Sequence, residues 1–377
     1  MSEDSVYKEL MKEGVSRRDF MKLCGMMAGA IGLNNLAPGF PDDLKGQLSR
    51  NAANAELIAR ALKEKPRLPV IWLEFQDCAG CSEALTRSQS PTLTDLVLNS
   101  ITIEYHETLT AAAGFQTEEA KRAAMKKYAG QYVLVVEGSI SPKDDGIYCT
   151  IGGRSSLDIL QEAAAGAAAI VATGNCSSFG GLPKADPNPT GAVSVMDLIK
   201  DKPIVNIAGC PAIPEVFTGV LAHFLVFGSL PELDHLLRPK TFYGNTIHDR
   251  CLRRSFYDAG KFALSFDDEG AKNGWCLYKL GCKGPTTYNA CAVMKWNGGL
   301  SFPVQSGHPC LGCSEPNFWD GGGFYAGQSA PLDKPTAAAA AAAVGAGVVV
   351  GAGVAIANAA QKKSANKAGE KKEEEES

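Results

Sequence analysis

The sequence predicts an α/β fold built on a doubly wound parallel sheet. Four short, continuous apolar runs are rich in β-branched residues, which is typical of strands buried on both faces. Helical stretches separate these runs, as in residues 117–128, where Thr117 can cap the helix, and residues 155–168, where Ser155 or Ser156 can cap it. Strands that alternate with helices form a parallel sheet. The four runs span residues 68–75, 131–138, 167–174 and 202–209.

Length and composition limit the class of protein. A chain of 377 residues is long enough for two compact domains with extensions. Its net charge is −4 and no basic face recurs along the middle of the chain, which argues against a nucleic-acid binder. Twelve cysteines in a long α/β chain more often bind metal than form the disulfides of a short secreted protein.

The N-terminus has the pattern of an export signal. Arg17 and Arg18 precede a weakly apolar run over residues 23–33. Paired arginines before such a run indicate a twin-arginine signal, and a short amphipathic helix is the alternative. A small-x-small sequence ends at Ala55, so residues 1–55 are predicted to be the signal peptide. The twin-arginine route carries folded proteins, which allows cofactors to be inserted before export.

Residues 336–360 carry no charge and are long enough to cross a bilayer as a helix. A flexible linker rich in alanine and glycine is the alternative. The GxxxG spacing of Gly347 and Gly351 suits packing on another membrane helix, and the lysines that follow the segment indicate the cytoplasmic side. We therefore expect a membrane anchor, with the body of the protein outside and a disordered charged tail, residues 361–377, inside.

Three of the four predicted strands end at cysteines. Because ligands bind outside the carboxyl ends of strands in open α/β sheets, four thiols distant in sequence should converge at one edge. The first two have C-x-x-C spacing, which alone suits a redox dithiol, half a zinc site or half an iron–sulfur site. Four converging thiolates can hold zinc or an iron–sulfur cluster, and disulfide pairing is the alternative. The four are Cys78, Cys81, Cys176 and Cys210.

From about residue 238 the sequence changes character, because strands are hard to find and glycine, aromatic and cysteine residues dominate. We predict a second domain over residues 238–330, after a first domain over residues 56–237. A region with little regular structure needs cross-links, which bound metal can supply. Its candidate ligands are one histidine and the cysteines that follow it: His248, Cys251, Cys276, Cys282, Cys291, Cys310 and Cys313.

An ordered set of motifs resembles one family. The motifs are DCAGCSE, GQYVLVVEGSI, GNCSSFGG, NPTGAV, AGCP, HDRC, GCKGP and GHPCLGC, and with the two terminal segments they cover nearly the whole chain. This pattern is similar to that of the small subunits of nickel–iron hydrogenases, specifically the exported, membrane-bound uptake type. The resemblance implies a flavodoxin-like domain, then an irregular iron–sulfur cluster domain and a C-terminal transmembrane helix.

The resemblance also implies three clusters. The ligands of a proximal 4Fe–4S cluster correspond to Cys78, Cys81, Cys176 and Cys210. Those of a distal 4Fe–4S cluster correspond to His248, Cys251, Cys276 and Cys282. Those of a medial 3Fe–4S cluster correspond to Cys291, Cys310 and Cys313. Pro303 stands where the family usually has a proline instead of a fourth medial cysteine. Cys24 lies in the signal, and Cys149 is left as a buried structural thiol.

The implied function is electron transfer. The family oxidises hydrogen at a nickel–iron centre in a separate large subunit, and the small subunit passes the electrons from the proximal to the medial and then the distal cluster. The implied acceptor is a membrane cytochrome b or a quinone-linked subunit, and the implied location is the periplasmic face of the cytoplasmic membrane. Gly80 and Gly181 stand where oxygen-tolerant relatives carry extra cysteines, so a standard, oxygen-sensitive member is expected.

Two other hypotheses compete with this one. A structural or redox protein unrelated to hydrogen, with zinc at the cysteine sites, fits the spacing alone. A cofactor-reducing cytoplasmic hydrogenase would not carry a twin-arginine signal. The carboxylates near the proximal cysteines could assist a proton path, although solvated or cap-forming roles are commoner; they are Glu74, Asp77, Glu83 and Glu137.

Overall fold

The central element is a five-stranded parallel sheet, seen in a computed structural model that describes residues 66–89 and 91–326. A two-stranded antiparallel hairpin, β4 and β5, follows its third strand. The strands are β1 (Leu68–Glu74), β2 (Ile101–His106), β3 (Val133–Glu137), β4 (Thr150–Ile151), β5 (Arg154–Ser155), β6 (Ala169–Thr173) and β7 (Ile204–Ile207). The large sheet has the order β2-β1-β3-β6-β7, and every neighbouring pair in it is parallel.

Helices connect the strands and follow the last one. Those up to β7 are α1 (Gly80–Thr86), α2 (Leu93–Asp95), α3 (Gly114–Lys127), α4 (Ser156–Ala165), α5 (Gly174–Phe179), α6 (Gly181–Lys184) and α7 (Val195–Leu198). Those after it are α8 (Pro214–Phe227), α9 (Lys240–Tyr243), α10 (Arg254–Asp258), α11 (Glu269–Lys272) and α12 (Cys291–Met294). Short segments are π-helical at Leu96–Ser100 and 3₁₀-helical at Lys143–Gly146, His248–Arg250, Tyr278–Leu280 and Gly284–Thr286.

Each face of the sheet supports its own hydrophobic core. On one face Val135 packs with residues of α8 such as Val216 and with residues beyond position 240. On the other face Leu134 packs with Leu160 of α4 and with residues of α3. Alternate residues of a strand point to opposite faces, so a strand covered on both sides must be apolar throughout. This arrangement confirms the predicted α/β fold with a doubly wound parallel sheet.

Two local predictions were incomplete or wrong. The strand β2 was not predicted, because Ile101–His106 alternates apolar and polar residues at the edge of the sheet. Thr117 does not cap α3, since this helix begins one turn earlier, at Gly114, after Ala113. The predicted cap of α4 is confirmed: the Ser155 side chain accepts a hydrogen bond from the Asp158 backbone N–H.

Regular structure becomes sparse after α8. Between Gly228 and residue 326 the helical elements have three to five residues each, as expected for the region that the sequence separates at residue 238. No helix within residues 66–89 and 91–326 is long and apolar enough to cross a membrane. The predicted signal peptide, membrane anchor and charged tail lie outside the described residues.

We predict that Leu134→Ala destabilises the protein. Leu134 is fully buried in the central strand β3, and removing a buried leucine side chain costs about 2–5 kcal/mol in the free energy of unfolding. The midpoint of thermal unfolding, measured on the purified complex, should fall by several degrees. The matched control is Leu264→Ala, because Leu264 is 73% exposed. Equal midpoints for the two variants would contradict the assignment of this core.

Candidate metal centres

Four cysteines meet at the carboxyl edge of the sheet, and we name them the edge group: Cys78, Cys81, Cys176 and Cys210. Cys78 follows β1, and Cys81 lies in the first turn of α1. Cys176 lies in α5, and Cys210 follows β7. The pKa of Cys176 is raised to about 11, mainly by burial and in part by the neighbouring Cys78. Although Cys210 is exposed as a residue, desolvation by the surrounding protein raises its pKa to about 12, with contributions from Cys313, Cys176 and Cys78. The structure therefore brings together the four thiols that the sequence placed at this edge.

Two glycines allow the backbone to pass close to these thiols. Gly174 has φ +85°, and a Cβ atom there would lie 2.5 Å from the Cys81 Sγ. Gly181 has φ +54°, and a Cβ atom there would lie 2.4 Å from the Cys176 Sγ. Both positions combine a left-handed conformation with contacts that exclude any side chain, which is why glycine occupies them.

Four further predicted ligands line a single cavity, and we name them the cavity group: His248, Cys251, Cys276 and Cys282. His248 begins a 3₁₀ helix, and its ring packs edge-on against Tyr257 at a centroid distance of 4.5 Å. The pKa of Cys276 is raised to about 11, mainly by burial and in part by the neighbouring Cys282 and Cys251. Three thiols and one imidazole thus face the same space.

The remaining three predicted ligands form a third group, and we name it the middle group: Cys291, Cys310 and Cys313. The pKa of Cys291 is raised to about 12, mainly by burial and in part by the neighbouring Cys313. The Cys310 backbone N–H donates to the Cys282 Sγ at 3.3 Å, which joins the middle group to the cavity group. The Cys210 backbone N–H faces the Cys313 thiol and lowers its pKa, although burial raises it more. The middle group therefore adjoins both of the others.

The donor set suits soft metal ions or iron–sulfur clusters. All eleven cysteines within the described residues are free thiols, which excludes disulfides among them. Thiols buried this deeply keep their protons until a cation replaces them, so metal binding and deprotonation are coupled. Groups of thiolates, with or without an imidazole, bind zinc or iron–sulfur clusters. Cys149 belongs to none of the three groups and packs against the core beside α4, but it is only partly buried, whereas the sequence predicts a buried thiol.

Glu137 holds α1 against the strand ends. Its carboxylate accepts hydrogen bonds from the backbone N–H groups of Cys81 at 2.9 Å and Ser82 at 3.0 Å. It also accepts from the Ser82 hydroxyl at 2.5 Å and the Trp72 indole N–H at 3.2 Å. Charged acceptors make strong hydrogen bonds. This one carboxylate at the end of β3 therefore fixes the loop that carries the C-x-x-C pair.

A buried polar network extends away from Glu137. The Ser82 hydroxyl also lies 3.1 Å from the His106 Nε2 atom, and the His106 Nδ1 atom lies 3.5 Å from a Glu74 carboxyl oxygen. Burial lowers the pKa of His106 to about 4 and raises that of Glu74 to about 7. Because the imidazole is neutral at pH 7, its contact with Glu74 is polar and not an ion pair. Among the carboxylates singled out in the sequence, Glu83 is exposed and pairs with Arg87.

Arg238 holds the loop that carries the middle group. Its guanidinium is 2% exposed and pairs with Asp234 at 2.9 Å and Glu315 at 3.1 Å. It also donates to the Ser314 carbonyl at 3.2 Å. Neither Arg238 nor the Ser82–His106 contact was found in the sequence, because their partners lie up to 77 residues away and the motif that contains Ser82 does not reveal its partners. His308, close in sequence to Cys310, lies within hydrogen-bond distance of the Pro309 carbonyl and the Tyr325 hydroxyl.

The fold and the donor set define an α/β protein with groups of thiols that can hold metal. The family model for the C-terminal part of the NiFe/NiFeSe hydrogenase small subunit matches residues 243–326. That for the NADH ubiquinone oxidoreductase 20 Kd subunit matches residues 78–224. The uptake hydrogenase small subunit of Azotobacter vinelandii is 48% identical over 322 residues, which is 85% of each chain. The hydrogenase-1 small chain of Citrobacter freundii is 47% identical over 86% of this chain and 82% of its own.

Solved hydrogenase structures have a similar fold. A [NiFeSe] hydrogenase chain from Desulfovibrio vulgaris Hildenborough is 37% identical and superposes with a TM-score of 0.65, covering 70% of this chain and 98% of that one. The protein belongs to the family of nickel–iron hydrogenase small subunits. It is therefore a subunit of an oxidoreductase, in a family whose small subunits carry iron–sulfur clusters.

We predict that Arg238→Met destabilises the protein far more than Arg254→Met. Removing one partner of a buried ion pair leaves an unpaired charge and costs about 3–5 kcal/mol in the free energy of unfolding. Arg254 and Asp258 make an ion pair of the same length, 2.9 Å, but both side chains are more than 40% exposed. Such an exposed pair contributes at most about 1 kcal/mol. Thermal unfolding of both purified variants checks the contrast, and similar losses would contradict it.

The raised pKa of Glu74 predicts a pH dependence of stability. Its carboxyl has a pKa of about 7 in the folded protein, against 4.5 normally, because it is buried and lies near Glu137 and Glu107. The folded state therefore holds this proton more tightly than the unfolded state, so stability falls as the pH rises from about 4.5 to about 7. Glu74→Gln should flatten the fall in thermal midpoint, whereas Glu83→Gln should not. Parallel curves for wild type and Glu74→Gln would contradict this prediction.

Proposed function

We propose that this chain carries electrons away from hydrogen oxidation in a partner large subunit. In this proposal the edge group holds a proximal 4Fe–4S cluster, the middle group a medial 3Fe–4S cluster and the cavity group a distal 4Fe–4S cluster. The observation that carries the proposal is the order of the groups: the middle group adjoins the edge group through Cys210 and Cys313, and the cavity group through Cys310 and Cys282.

When bound, such clusters supply one-electron redox chemistry over a wide range of potentials. The chain itself supplies ligands, burial and hydrogen bonds, which set the affinity and potential of a metal site. The Cys310 N–H donates to the Cys282 sulfur, and Glu137 places a buried negative charge beside the edge group. The imidazole of His248 gives the cavity group a donor set different from that of the edge group.

The partner large subunit, with the nickel–iron centre, is proposed to cover the carboxyl edge of the sheet. Cys78 and Cys210 are exposed there in the isolated chain. Large apolar side chains are also exposed on the segments after β2 and β3, and exposed apolar surface is typical of protein interfaces. They include Leu109, Phe115, Ile147 and Tyr148. Electrons then enter at the edge group and leave at the cavity group.

The final acceptor is proposed to be a membrane protein, either a cytochrome b or a quinone-linked subunit. The support is in the sequence: the paired arginines Arg17 and Arg18 and the uncharged segment 336–360. Together they favour twin-arginine export and a site on the periplasmic face of the cytoplasmic membrane.

The proposal is tested with hydrogen-driven dye reduction by the purified complex. Cys276→Ala removes a ligand of the cavity group and should lower dye reduction by at least about tenfold, since even indirect changes at a metal site cost 10- to 100-fold. Exchange of hydrogen with deuterated water, which takes place in the large subunit, should persist. Cys149→Ser is the control and should leave both activities unchanged. A wild-type complex that contains zinc and reduces no dye under hydrogen would overturn the proposal in favour of a structural metal protein.

A further inference from the structure

We propose that Asn175 is a positioning residue that fixes the separation of the edge group and the middle group, and thereby the rate at which electrons pass between them. The inference rests on the proposed electron-transfer function. Asn175 precedes the edge-group ligand Cys176 in α5 and is 1% exposed. It belongs to neither group, and no motif in the sequence assigns it a role.

The backbone of Asn175 ties two edge-group segments together. Its N–H donates to the Gly209 carbonyl at 2.6 Å, and Gly209 directly precedes Cys210. One short hydrogen bond therefore links the helix that carries Cys176 to the strand end that carries Cys210.

The side chain of Asn175 ties these segments to the middle group. Its amide nitrogen, Nδ2, donates to the Cys313 carbonyl at 3.1 Å and to the Glu315 carbonyl at 3.0 Å. The two acceptors are 138 and 140 residues away in sequence. A single buried residue therefore joins the segments that carry Cys176, Cys210 and Cys313.

The chemistry of the amide makes this role specific. Both carbonyls need a donor, and a buried carbonyl without one is destabilising. Asn175→Asp keeps the size of the side chain but presents carboxylate oxygens to two carbonyl oxygens, which repel them. Asn175→Ser shortens the side chain and leaves at most one donor, so the gap between the groups should loosen without a new charge.

The middle-group loop has a second attachment that does not involve the edge group. The Arg238 guanidinium donates to the Ser314 carbonyl and pairs with the Glu315 carboxylate. It also pairs with Asp234, which lies outside both ligand groups. Loss of the Asn175 bonds should therefore change the spacing of the two groups while the loop stays folded.

Asn206 provides a matched control. It is also fully buried, and its Nδ2 atom donates to the Leu236 carbonyl at 2.8 Å and to the Met196 sulfur. In both asparagines the side-chain oxygen has no hydrogen-bond partner within the part of the chain that the structure describes. Asn206→Asp therefore makes the same chemical change in a buried amide that contacts none of the ligand loops.

The experiment uses the complete complex with its large subunit and compares hydrogen-driven dye reduction with hydrogen–deuterium exchange. Hydrogen is split into two protons and two electrons, and the dye takes up the electrons. Dye reduction therefore needs electron transfer from the large subunit through the edge, middle and cavity groups. Exchange needs only the large subunit. For Asn175→Asp and Asn175→Ser we expect dye reduction to fall by roughly tenfold, because small displacements of reacting groups have large effects on rate. Exchange should stay within about twofold of wild type, because the variants leave the large subunit unchanged.

Spectroscopy supplies the readout that a merely structural role would not change. The magnetic interaction of the reduced edge-group cluster with the middle-group cluster, seen as broadening of the edge-group signal, should weaken in both Asn175 variants and stay as in wild type in Asn206→Asp. Unchanged dye reduction, or a parallel loss of dye reduction and exchange, would overturn the positioning role. A wild-type complex without dye reduction or iron signals would instead overturn the proposed function, so the two failures are distinguishable.

Discussion

The structure depends on gathering eleven sulfur and nitrogen donors, most of them wholly or partly buried, into three groups without cross-linking them to one another. A buried thiol keeps its proton and contributes little, whereas a thiolate needs a cation beside it. The irregular region after α8 has few regular hydrogen-bonded elements. Its folding is therefore coupled to the binding of metal by the cavity and middle groups. The sheet has the opposite character: its two hydrophobic cores hold the strand ends, and with them Cys78 and Cys210, in place.

A layer of buried charged side chains around the donors gives these loops their precise positions. Glu137 fixes the C-x-x-C segment through two backbone N–H groups, and Arg238 fixes the loop that carries Cys310 and Cys313. Each has its charge satisfied by several partners, as burial of a charge requires. In both cases a residue far away in sequence positions a ligand loop, so the fold and the metal sites cannot be changed independently.

The sequence predicted the parts of the structure that follow from local pattern. Continuous apolar runs identified four strands, and their carboxyl ends correctly placed the edge group. The edge strand β2 was missed because its Ile-Thr-Ile-Glu-Tyr-His sequence alternates apolar and polar residues instead of forming a continuous apolar run. The predicted cap at Thr117 was wrong because α3 begins one turn earlier, at Gly114. Glu137 was singled out in the sequence only because it lies near the cysteines, and its hydrogen bonds were not predicted. Ser82, His106, Asn175 and Arg238 were beyond prediction, because their roles arise from contacts between distant segments whose spacing only the folded chain determines.

The most direct test of the account is electron paramagnetic resonance of the purified complex, as isolated and after reduction with hydrogen. The account predicts a 3Fe–4S signal from the middle group in the oxidised sample, its loss under hydrogen, and the appearance of 4Fe–4S signals from the edge and cavity groups. These changes together would connect all three groups to a site that splits hydrogen. An oxidised sample without a 3Fe–4S signal, or signals that hydrogen leaves unchanged, would contradict the account.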